Sequence, residues 1–148
     1  MPRLLCCLLA VLTAAPFAAP AQLPTDSIRT AALRDYHGPD LDGKDGPLAK
    51  AGRSLLLLYH EHEAFRAHYP DSTFSSTISG LPTRNGRVAV EAVAVDHADT
   101  LLTDLEAIGL EDGLTGGRVV SGWLPIPQIP AMTRLSSLRG LIQSERRR

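Results

Sequence analysis

The densest group of chemically capable residues is Tyr59-His60-Glu61-His62-Glu63, with His68 close behind. A zinc-protease helix carries two histidines four residues apart, with a glutamate directly after the first. Position 64 is Ala, and the residue four after His62 is Arg66, so neither histidine meets another at that spacing. Only His60 and Glu63 share a helical face. A zinc site needs three or four ligands. A metal-assisted hydrolase using His60, Glu63 and His68 is therefore the third choice, behind ordinary solvated helix residues. Asp40, Asp42 and Asp45 look like the start of a calcium loop, but position five is Lys44, six is Asp45 and twelve is Ala51. The helix-loop-helix calcium site wants an oxygen ligand, Gly and Glu there. A turn with a helix cap is the expectation. Ser121-Gly122 follows Val119-Val120 and so lacks the Gly-x-Ser-x-Gly of a nucleophile elbow. Gly113–Gly117 follows a helical pattern, where a phosphate loop would follow a strand. No catalytic residue, metal ligand or cofactor is assigned, and the chain is expected not to be an enzyme.

The elements that would carry these residues follow from periodicity. Ser27–Tyr36 can form a short helix, and the turn-rich, acidic run to Gly46 breaks it. Residues 22–44 are expected to be a mobile lead segment, and 45–148 one domain. Asp45 caps a helix with Pro47 just inside it. Leu48, Ala51, Leu55, Leu58, Tyr59, His62, Phe65 and Tyr69 form its apolar stripe, ending before Pro70. Arg53, Glu61, Glu63 and His68 face solvent. Phe74–Ser79 reads as a strand. Asn85-Gly86 is a hairpin turn before the alternating run Val88–Val95, whose two largely apolar faces predict a central strand covered at least partly on both sides. Asp96 or Asp99 caps a helix burying Leu101, Leu102, Leu105 and Ile108, with Gly109 at its end. Gly113–Gly117 is a loose connection. Arg118–Leu124 is a strand in which Gly122 marks a bulge or close contact. Pro125–Leu138 is a short helix with Ile129, Met132, Leu135 and Leu138 inward, and Leu141-Ile142 begins a last strand. Interleaved strands and helices predict an α+β two-layer sandwich, an open sheet with helices on one face.

Arg3, the apolar run from Leu4 and the small-x-small Ala19-Pro20-Ala21 describe a cleavable export signal over 1–21, with Gln22 as the new first residue. A membrane span needs about 20 unbroken apolar residues, and Pro16 and Pro20 interrupt this run, so no stable anchor is expected after cleavage. Cys6 and Cys7 leave with the signal. The mature chain then has no thiol, hence no disulfide and no cysteine nucleophile. That usage fits a bacterial periplasmic or secreted protein better than a small eukaryotic secreted domain. The whole chain carries 15 basic and 16 acidic residues, and losing Arg3 makes it one charge more negative. Nothing there suits nucleic acid, and Arg146-Arg147-Arg148 is a local exception.

Five segments carry a family resemblance: Gly43-Lys44-Asp45-Gly46-Pro47-Leu48-Ala49-Lys50; Gly86-Arg87-Val88-Ala89-Val90-Glu91-Ala92-Val93-Ala94; Leu105-Glu106-Ala107-Ile108-Gly109-Leu110; and Val120-Ser121-Gly122-Trp123-Leu124-Pro125-Ile126 followed by Leu135-Ser136-Ser137-Leu138-Arg139. Over about Asp45 to Leu141 the chain resembles the N-terminal propeptide module of bacterial secreted subtilisin-like serine proteases. The resemblance implies a ferredoxin-like sheet with two helices, and a role as folding template or inhibitor of a protease. It also implies that Gln143, Ser144 and Glu145, in the tail, approach the protease cleft. With no protease domain following, the expected action is in trans, or the chain is a truncated precursor. Trp123 and Ile126 are the candidate anchors for a partner, since large apolar side chains dominate interface energies. A periplasmic structural or ligand-binding domain is the alternative.

Overall fold

A computed structural model describes residues 25–142. The expected signal over 1–21 and the tail residues Gln143, Ser144 and Glu145 lie outside that range. In order come α1 (Thr25–His37), a 3-10 turn (Ala49–Ala51), α2 (Arg53–His68), β1 (Thr83–Arg84), β2 (Arg87–Ala94), α3 (Ala98–Ala107), β3 (Glu111–Gly116), β4 (Val119–Pro125), a second 3-10 turn (Ile126–Gln128), α4 (Ile129–Thr133) and β5 (Leu138–Leu141).

The fold is α+β, as the alternation of periods predicts. All five strands join one antiparallel sheet with β2 at its centre. β4 pairs along one edge of β2 from Arg87 to Val93. β1 and β5 divide the other edge, at Arg87–Val88 and Ala92–Ala94. β3 lies outside β4. From β2 onward the chain runs β-α-β-β-α-β with spatial order β5-β2-β4-β3, the ferredoxin-like arrangement.

The period-two pattern of β2 sets the core. Val88, Val90, Ala92 and Ala94 are buried, and the register places Leu124 and Val120 of β4 opposite Val88 and Ala92. Leu101 and Leu105 of α3, Ile129 and Met132 of α4, and Leu138 of β5 close over that side. Each such side chain stabilises the fold by about 1.5–3 kcal/mol through burial. The other face of β2 is covered only in part, with Ala89 and Val93 half-buried and Glu91 exposed. Gly122 is the predicted close contact. A Cβ there would stand 2.9 Å from the Glu111 carbonyl oxygen. The irregularity itself sits in β3, between Glu111 and Leu114.

Several local expectations give way to backbone chemistry. The long helix from Asp45 becomes a 3-10 turn and a later α2, separated by Gly52 at φ 75°. Phe74–Ser79 forms no strand; its polar groups bond to Glu61 instead. Gly113–Gly117 mostly belongs to edge strand β3, which turns back through Gly117 at φ 63°. The helix over Pro125–Leu138 is cut to five residues, and Leu138 opens β5. Pro127 and Pro130 permit only first-turn positions.

The stretch expected as a lead segment contains α1, whose Ala32 is 3 % exposed within the core cluster. Two backbone bonds fold 38–48 back onto the end of α1: the Gly46 N–H donates to the Tyr36 carbonyl at 3.0 Å and the Leu48 N–H to the Asp35 carbonyl at 3.0 Å. A side chain at Gly46 would collide with the Asp35 carbonyl oxygen, 2.2 Å from an ideal Cβ. The glycine is what allows that close approach.

Candidate interaction surface

The sheet face turned away from α3 and α4 is built from β2, β4 and β3. Directly paired residues share a face, so the register puts Ala89 beside Trp123, Glu91 beside Ser121 and Val93 beside Val119. Leu114 of β3 pairs with Ser121 and is 70 % exposed. Ala89, Val93, Val119 and Trp123 are half-buried. The result is an apolar strip across three strands, crossed by Glu91 and bordered by β3, an outer strand with no further strand beyond it among the described residues.

Trp123 is fixed within this face. The Arg84 guanidinium lies 4.4 Å from its ring centroid, within cation–π range. Arg84 is itself held by Asp112 at 3.0 Å, both side chains being exposed. Below it, Arg87 donates to the Gly109 carbonyl at 2.6 Å and pairs with Glu111 at 2.6 Å. The rim therefore holds two arginines matched by two acids.

The remaining expected contact residues separate. Ile126 is completely buried in the core. Its carriage on a 3-10 turn beneath α2 removes it from any contact surface, which corrects the expectation drawn from its size. Gln143, Ser144 and Glu145 are not among the described residues.

The residues of the metal hypothesis are not gathered. His60 donates Nε2–H to Asp35 at 2.7 Å, joining α2 to α1. His68 donates Nδ1–H to the Ala64 carbonyl at 2.8 Å. Glu63 lies 3.5 Å from His62 Nδ1. No group of three or more potential ligands occurs among the described residues. Burial pushes the Tyr59 phenol above its usual range, aided by the Glu63 and Asp35 charges. Asp40 is in a turn, and Asp42 accepts the Gly43 N–H at 2.8 Å. Asp45 precedes the 3-10 turn and is separated from α2 by Gly52.

Glu61 is the residue that sequence reasoning misplaces. It is 7 % exposed. Its carboxylate accepts Ser76 Oγ–H at 2.8 Å, Thr77 N–H at 3.0 Å and Thr77 Oγ1–H at 2.6 Å. A glutamate three residues after Leu58, followed downstream by an uncommitted Ser-Ser-Thr run, is the only signal that could have suggested this clamp. No family model matches this chain, and no curated protein or solved structure matches it.

Proposed function

We propose that this chain is an exported, non-catalytic binding module of the propeptide type, acting on a subtilisin-like protease as chaperone or inhibitor. The observation that supports it is the face of a β-α-β-β-α-β sheet, carrying Trp123, that no helix covers among the described residues. Such a face serves recognition by shape: a rigid aromatic anchor, apolar neighbours, and a rim of matched charges that sets orientation. The outer strand β3 adds backbone donors and acceptors for a partner strand. The working compartment is secreted or periplasmic in a bacterium, which the export signal read from the sequence supports.

The test is inhibition in trans. The full chain is mixed with purified bacterial subtilisin-like proteases, and peptide hydrolysis and protease refolding are followed. Inhibition or accelerated refolding is expected, with Trp123→Ala weakening binding by about 2 kcal/mol or more, as for a hot-spot aromatic. Absence of both effects across the proteases tested would sink the proposal.

A further inference from the structure

A second site adjoins the rim of the open sheet face at Arg87. The last turns of α2 and the β1–β2 turn enclose a groove of about 540 Å³, lined by His62, Glu63, Arg66, Asn85, Arg87 and the prolines at 125 and 127. That volume lies in the range of small-molecule sites, about 300–1,000 Å³.

Three observations mark it as a ligand site. His62 has a side chain only 8 % exposed, and its Nδ1 makes no hydrogen bond. The nearest acid, Glu63, is 3.5 Å away, beyond the roughly 2.7–3.2 Å of a real N–H···O bond. Buried polar atoms are nearly always satisfied, so an exception calls for a cause. Arg66, one turn after His62 on the same face of α2, has no side-chain partner among the described residues, and neither does the Asn85 amide. Arg87, by contrast, is already committed to Glu111 and the Gly109 carbonyl. The free donors thus converge on one groove with two proline rings for walls.

We propose that this groove binds a small organic carboxylate, with the Arg66 guanidinium and Asn85 amide on the carboxylate and the ligand's apolar body against Pro125 and Pro127. A guanidinium offers a planar two-point donor that matches a carboxylate. The proline rings favour a flat apolar body over a hydrated inorganic anion. Binding also draws in His62. Burial is the main cause that discourages protonation of that imidazole, Glu63 encourages it, Arg66 adds a smaller opposing charge, and the paired Arg87 is the remaining charge in the groove. A carboxylate on Arg66 neutralises the opposing charge, so it should be taken up together with a proton on His62.

Benzoate is the probe, titrated into the isotope-labelled full chain and followed by NMR, with acetate and inorganic phosphate in parallel. Saturable shifts at Arg66 Nε–H, the Asn85 amide and Gly86 are expected, tightest for benzoate. Arg66→Gln, an exposed change, should weaken benzoate about tenfold while the remaining spectrum stays folded. Affinity should rise from about pH 7.5 to about pH 5.5 in the wild type, and rise less in His62→Gln. Phosphate binding as tightly as benzoate, shifts that do not saturate, unchanged affinity in Arg66→Gln, or the same pH dependence in both proteins would each overturn the proposal. The groove shares Arg87 with the rim of the sheet face, but the benzoate titration involves no protease, so its failure and the failure of protease binding are read separately.

Discussion

The two halves of the molecule are joined by different physics. From β2 to β5 the chain is held by a backbone ladder and one closed apolar face, on which Val88, Leu101, Leu105, Leu124 and Leu138 are completely buried. From α1 to β1 the chain joins that same core through Leu55, Leu56 and Leu58 and adds polar links to it: His60 on Asp35, Glu61 on Ser76 and Thr77, and the Gly46 and Leu48 N–H groups on the end of α1. Apolar burial is non-directional and insensitive to acid. A carboxylate or imidazole clamp is directional and has a pKa. The shared core should therefore unfold as one cooperative block, while the polar links of the N-terminal half act as latches that can open singly.

Leu105→Ala offers the hardest test of that contrast. Its side chain is wholly buried between α3 and the sheet, so a loss of about 2–5 kcal/mol is expected in urea unfolding. The whole molecule should lose stability together. A loss confined to α3, with β2 amides still protected from hydrogen exchange, would break the idea of a single block. Glu61→Ala comes next, at about 1–3 kcal/mol for donors left behind. Its signature is local: amides of 74–78 should exchange faster while those of β2 hold. Glu61→Gln keeps an acceptor and should cost less. Equal exchange in both halves would show that the latch is no separate unit.

The same contrast explains what could be read in advance. Period-two alternation over Val88–Ala94 and the Leu101–Leu105 spacing carry burial directly, so the central strand, α3 and the α+β class were legible. So was the Asn85-Gly86 turn, because both residues accept positive φ. The latches were not legible, since each joins residues whose proximity exists only in the fold: Asp35 with His60, or Glu61 with Thr77. Glu61 occupies a position that helical charge patterning assigns to solvent. β3 was obscure for another reason. Its glycine content suppresses strand propensity, and only pairing with β4 makes it a strand. Of the candidate contact residues, Trp123 falls on a surface, whereas size alone could not distinguish it from buried Ile126.

Acid supplies a smaller test. Burial is the main cause that lowers the His62 pKa, with Arg66 adding to it and Glu63 opposing. A folded-state pKa below the unfolded value of about 6.5 means that the native state binds fewer protons. Its stabilising contribution is whole above that unfolded value and is lost as pH falls toward and below the folded one. Urea midpoints should decline over this window in the wild type and decline less in His62→Gln. His62 packs edge-on against Phe74 at 5.0 Å between centroids, so exchange near Phe74 should rise first. A midpoint that is flat in the wild type would contradict the assignment.

The smallest effect belongs to Arg84→Gln, on the open sheet face. The guanidinium over Trp123 is exposed, and such contacts contribute about 0.5–1 kcal/mol, partly offset here because Asp112 loses a well-solvated partner. Global stability should barely move. Trp123 is the single tryptophan of the chain, so intrinsic fluorescence reports this position alone. Removing the cation uncovers one face of the indole to water, and the emission maximum should shift to the red while the unfolding midpoint stays nearly constant. A fall in the midpoint comparable to that of Leu105→Ala would mean that the ring is part of the cooperative block. The open face would then be an extension of the core, and its availability to a partner would be gone.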